Sequence, residues 1–151
     1  MAVTRANVEG VLVDRQGSLM TFTGKDGATV DGTNGDLNDS IGYGIRKAGY
    51  TVDDISAVDD VDVARVSDDD LDKMLDLSEF RLIESILGNL DEVDLKLGQR
   101  SESFSQLATR IEKTLDRKKK SIMDEYGIGL QELEAGRLTL DFADHLDDTS
   151  I

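Results

Sequence analysis

Apolar positions along the chain follow a helical period in several stretches and break from it in one. In TRANVEGVL, residues 4–12, Val8, Val11 and Leu12 share one side and Thr4 stands where an N-cap belongs, which predicts a short helix. Residues 17–36, GSLMTFTGKDGATVDGTNGD, alternate Leu19, Thr21 and Thr23 with Met20 and Phe22 ahead of a GKDG turn signal. This alternation predicts either a β-hairpin or an ordered loop over residues 17–35. The helical period returns over residues 36–50. Asp36 or Asn38 can cap the start, Ile41, Ile45 and Ala48 lie along one face, and Gly49 can take the left-handed position after the last turn.

DDVDVARV fits one or two further helical turns, capped by Asp59 or Asp60. Ser67 then opens the widest apolar stripe: Leu71, Met74, Leu75, Leu82, Ile86 and Leu90, broadened by Phe80 and Ile83. A helix buried on more than one side is expected there. A second long helix is expected over residues 102–126. Phe104, Ala108, Ile111, Leu115 and Ile122 form its heptad-like seam, which skips Lys118, and Gly127 ends it. The expected fold class is mainly α, a small helical bundle with two long helices and short N-terminal helices. A single domain is expected over residues 1–130, with an extended C-terminal arm over residues 131–151 that carries a short alternating LTLDF.

Composition sharpens this picture. The 151 residues fit one domain with its own core. Cysteine and proline are absent, so no disulfide framework, thiolate metal site or proline-forced helix break is expected. The N-terminal residues lack a basic region followed by a long apolar run, and no stretch has the length of a membrane span; a reducing cytoplasm is the expected setting. The formal net charge of −15 argues against binding to phosphate backbones, which needs a basic surface that releases counterions.

Carboxylates concentrate in VDDISAVDDVDVARVSDDD, residues 52–70. A calcium loop needs oxygen ligands at its first, third and fifth positions and glycine at the sixth. Counted from Asp60 the frame runs into Ala64 and Arg65, and counted from Asp36 it meets Ile41 in the glycine position. Two readings stay open for this stretch. Its aspartates are helix caps and first-turn charges favoured by the helix dipole, or they form an acidic surface for contact or repulsion, with Asp59, Asp60 and Asp62 as the candidates.

RKKK, residues 117–120, is the one strong basic run. It is either a solvated helix face or a patch that meets an acidic neighbour. In the second case Arg117, Lys118, Lys119 and Lys120, together with Asp68, Asp69 and Asp70, are the inter-subunit candidates. His145 is the sole histidine, and no GxSxG, HExxH or phosphate-binding glycine loop occurs. No catalytic residue, metal ligand or cofactor is expected.

Residues 36–107 carry a recognisable succession. DL precedes a short helix, a glycine stop follows, and an aspartate run marks a helix start. LGNLDEVDLKLG comes next, and RSESFSQL opens a long charged helix that closes on Tyr126-Gly127. The succession resembles head–tail connector proteins of tailed bacteriophages, also called adaptor or head-completion proteins. The opening MAVTRANVEGVLV fits as well, and residues 17–35 fit least.

The resemblance implies a non-enzymatic virion protein of the neck, made in the host cytoplasm. Such a protein forms a homo-oligomeric ring, typically dodecameric, under the portal protein. It extends the DNA channel and offers a platform to the stopper or tail. A C-terminal arm in that family reaches toward the portal, which makes Leu138, Leu140, Phe142 and Leu146 the portal-contact candidates. The alternative is a soluble acidic binding module, calcium-tuned or a DNA mimic, that acts on a basic protein. A helical regulatory protein whose charge serves solubility is a third possibility.

Overall fold

The structure is a computed structural model and describes residues 3–90 and 101–128, with side chains of the second stretch from Gln106 onward. Five α-helices occur among them: α1 (Arg5–Phe22), α2 (Asn38–Lys47), α3 (Asp60–Ala64), α4 (Leu71–Gly88) and α5 (Ser101–Tyr126). Single 3-10 turns, Gly35–Leu37 and Asp68–Asp70, lead into α2 and α4. The protein is therefore mainly helical, and no strand occurs among the described residues.

Helix α1 is longer than its sequence pattern predicts. Thr4 caps it in a reciprocal box with Asn7, but the helix runs through Gly17 to Phe22. The alternating residues 19–23 thus form no hairpin; Leu19 and Met20 continue the stripe of Val8 and Leu12 about two turns further on. Glycine costs a helix only about 1 kcal/mol relative to alanine, and here its missing side chain is used. A Cβ on Gly17 would lie 2.8 Å from the Gly27 carbonyl oxygen, so the loop backbone packs directly on the helix. Only residues 23–34 are left as an ordered loop, which turns at Gly24 with φ +85°.

Two other helix starts differ from expectation. Asn34, rather than Asp36 or Asn38, accepts from the Asp36 N–H at the turn before α2. Ser67 makes no capping bond with its side chain; its hydroxyl lies 3.0 Å from the Tyr50 hydroxyl and donates to Asp70. The 3-10 turn Asp68–Asp70 intervenes, so α4 begins at Leu71. Gly49 does take the left-handed position, with φ +102°, and the Tyr50 N–H closes on the Ile45 carbonyl at 3.1 Å.

Helix α4 is the central element and packs on α2, α5 and α1. Met74, Leu77, Phe80, Leu82, Ile83 and Ile86 are buried around most of its circumference, as its wide stripe requires. Ile41, Ile45 and Ala48 of α2 and Ile111, Leu115 and Ile122 of α5 complete one continuous core with Val8, Leu12 and Met20 of α1. Tyr126 at the end of α5 bonds Asp76 early in α4, while Leu107 and Ile111 lie beside Ile83, so the two long helices run antiparallel. The expected arm, residues 131–151, and the portal-contact candidates in it lie outside the described residues.

Candidate functional site

Polar groups inside this bundle gather at three places, and each joins elements distant in sequence. The first lies under α1. Arg5 and Glu9 stand one turn apart on the same face as Val8 and Leu12, and both are buried. Arg5 Nε donates to Glu9 at 3.0 Å, while its Nη atoms donate to the Asn38 side chain, the Val58 carbonyl and the Asn34 carbonyl. Glu9 also accepts from the backbone N–H groups of Gly32, at 2.7 Å, and Asn34, at 2.9 Å. Irregular segments must find partners for their backbone groups, and here one ion pair supplies both donors and acceptors to two loops. Asn34 and Asn38 extend the hub to the carbonyls of Asp26, Thr29 and Ile55. Sequence reasoning missed it, although an Arg–Glu pair four apart on an apolar stripe is a usable signal.

The second cluster joins α1, α4 and α5. Lys118 Nζ lies 2.7 Å from Glu79 and 3.3 Å from Asp76; Arg15 reaches the same two carboxylates at 3.0 and 3.1 Å. Gln16 donates to Glu79, and the Tyr126 hydroxyl donates to Asp76 at 2.6 Å. Burial pushes the Asp76 carboxyl up, but the Tyr126 hydroxyl and the Lys118 ammonium outweigh it and hold it below its ordinary value. Burial likewise pushes Glu79 up, and Lys118 and Gln16 more than offset this. Tyr126 is raised, first by burial and then by donating to Asp76.

A pH dependence follows. Both carboxylates have lowered folded-state values, so their contribution is full above the unfolded-state range, about 3.9–4.3, and is lost as pH falls through it toward the folded values. Tyr126 acts oppositely: its contribution is full below about pH 10 and is lost as pH rises past that. Thermal melts of Glu79→Gln from pH 7 to pH 3 are expected to start lower than wild type and converge on it in acid. Parallel curves would remove Glu79 from the acid transition.

The third place is the aspartate stretch, where the structure separates the two sequence readings residue by residue. Asp59 caps α3 in a reciprocal box with Asp62. Asp60 accepts from the Arg5 N–H at 2.8 Å, so it satisfies the start of α1 rather than its own helix. Asp62 is fully buried and is not a surface carboxylate, contrary to its assignment to an acidic surface. It accepts from the Asp53 and Asp59 N–H groups and pairs with Arg65 at 2.8 Å, which makes burial of its charge tolerable. Asp70 accepts from Tyr50 at 2.6 Å. Asp68 and Asp69 are exposed, as are Asp59 and Asp60. Among the described residues no group of three or more His, Cys, Asp or Glu side chains could hold a metal ion.

The basic run divides in the same way. Lys118 occupies the skipped position of the α5 seam and turns inward to Glu79, so its acidic neighbour is in the same chain. Arg117 and Lys120 are exposed, while Lys119 is half-buried. Among the described residues no helix is long and apolar enough to cross a membrane. No protein-family profile, curated protein or solved structure matches the chain.

Proposed function

We propose that this protein is a structural subunit of the neck of a tailed-phage particle. It is read as a non-enzymatic head–tail connector that assembles as a ring, typically dodecameric, under the portal, extends the DNA channel and docks the stopper or tail. The observation that carries the reading is the agreement between the resembling motifs and the element boundaries. Asp36-Leu37 stands in the turn that enters α2, Gly49 ends that helix, and the aspartate run leads into α4. Ser101, within RSESFSQL, opens α5, and Gly127 with φ +66° follows its end. The interior adds support, because the Arg5–Glu9 and Arg15–Glu79–Lys118 clusters tie elements together as a scaffold requires. A net charge of −15 multiplied around a ring suits a channel that DNA passes without sticking.

Co-expression with a tailed-phage portal protein tests the reading. A complex carrying a closed ring of this chain is expected in native mass spectra. Deletion of residues 136–151 is expected to weaken docking on the portal. A deletion without effect would remove the arm from the proposal, and failure of the full chain to join the portal would remove the connector function itself. Competition with DNA for a basic protein would favour the DNA-mimic alternative.

A further inference from the structure

Among the described residues, exposed charges that make no ion pair occur in both signs, and the cations among them gather on α5. On α5, Arg110, Lys113, Arg117 and Lys120 are spaced three, four and three residues apart and are all exposed. At 1.5 Å per residue they form a cationic stripe about 15 Å long on one side of the helix, which ends at Asp124. No carboxylate among the described residues pairs with any of the four; Arg117 reaches only the Lys113 carbonyl and the Thr114 hydroxyl, at 3.5 Å each. Lys118, by contrast, is consumed internally.

Several exposed carboxylates are engaged, while Asp14 and, on α5 itself, Glu112, Asp116, Asp124 and Glu125 make no ion pair among the described residues. Asp39 pairs with Arg81, Asp53 with Arg65, Asp54 accepts from Ser56, and Asp59 and Asp60 cap helices. Asp68, Asp69 and Asp72, around the start of α4, are exposed and make no ion pair among the described residues. Lys73, beside them, is half-buried. These aspartates lie past the Tyr126 end of the antiparallel α4–α5 pair, because Tyr126 meets α4 at Asp76. Within one copy the stripe and these aspartates therefore occupy different parts of the surface.

We propose that the stripe Arg110, Lys113, Arg117 and Lys120 docks on Asp68, Asp69 and Asp72 of a second copy of this chain. Charge complementarity favours that occupant: in a chain of net charge −15, Asp68, Asp69 and Asp72 form a compact exposed set without ion pairs among the described residues, which the stripe can meet. Stripe against stripe would set like charges together, so each stripe faces the aspartates of another copy. Made once per pair the contact is heterologous and closes a ring or grows a filament; made reciprocally it closes a two-fold dimer. It rests on the ring reading for its biological setting, but it names a surface that portal docking does not test.

Sedimentation velocity on the full chain at low and high salt is the experiment, with circular dichroism as a check on folding. Self-association is expected at low salt and is expected to weaken as the screening length falls from about 10 Å at 0.1 M to about 3 Å at 1 M. Arg117→Glu/Lys120→Glu and Asp68→Lys/Asp69→Lys are each expected to weaken it by about tenfold or more. The four changes combined in one chain are expected to restore it, which loss of folding could not do. A wild type that stays monomeric, or assembly indifferent to both pairs, overturns the proposal. So does self-association lost with the α5 pair alone and also on removal of residues 129–151, which would make the chain's own C-terminal segment the occupant. Portal binding by the full chain, measured separately, keeps the connector reading distinct from this contact.

Discussion

Gly44→Ala is expected to lower stability by about 3 kcal/mol or more, although alanine is the better helix former by about 1 kcal/mol. Gly44 lies on α2 where it crosses α4. A Cβ there would overlap the Ser78 hydroxyl and lie 2.6 Å from the Met74 carbonyl oxygen. The serine side chain can rotate; the carbonyl belongs to the α4 backbone and cannot move without parting the two helices. That crossing buries Ile41 and Ile45 against the Met74–Leu77 region, and a densely packed interior tolerates little displacement. Gly10→Ala on α1 is the control, since a Cβ there meets nothing within 4 Å, and it is expected to stabilise slightly. Urea unfolding followed by circular dichroism measures both. A Gly44→Ala protein as stable as wild type would show that the helices do not approach this closely.

The second large effect is expected at the Arg5–Glu9 hub. Glu9→Gln keeps the shape and removes the charge, which leaves the buried Arg5 guanidinium without its counter-ion. Breaking a buried pair in this way costs about 3–5 kcal/mol, a large share of the 5–15 kcal/mol that is typical of whole domains. A general feature of buried ion pairs is that replacing both partners by apolar residues is often harmless. Here that rescue is expected to fail. In Arg5→Met/Glu9→Met, the Gly32 and Asn34 N–H groups and the Asn34 and Val58 carbonyls also lose their partners. Chemical unfolding of the two single variants and the double closes the cycle. A double variant close to wild-type stability would reduce the hub to a simple salt bridge.

These two sites bear on function because Gly44 lies where α2 packs on α4, and the hub anchors α1, which itself packs on α4. Loss of either is expected to disturb any assembly through α5 and the start of α4 without touching a residue of the contact. Charge reversals on the stripe are expected to act on association alone. Comparing the two sets of variants separates a folding defect from an interface defect.

The helices were legible where one physical demand governed a stretch. The wide stripe of α4 could only mean burial on several sides, and the seam of α5 had to face another helix. Thr4, Asp59, Gly49 and Gly127 act at helix ends as local backbone chemistry dictates. Residues 17–22 misled because two periods fit them equally over so short a run. Packing of Gly17 on the Gly27 backbone, a contact ten residues away in sequence, decided for the helix.

The chain by itself thus determined a mainly helical protein, the run of α4 and α5 and an excess of acidic side chains. These depend on side-chain spacing and local capping, which act within a few residues. Tertiary structure alone decided which charges are spent inside and which remain for a partner. Asp62 and Lys118 stand in charged runs like their neighbours, yet one is a buried residue of α3 and the other pairs with Glu79. A polar contact is made by whatever the fold brings within reach, and sequence distance does not measure that: Arg15 meets Glu79 only because α1 and α4 converge, and Arg5 holds the Val58 carbonyl only because a loop 53 residues away returns to α1.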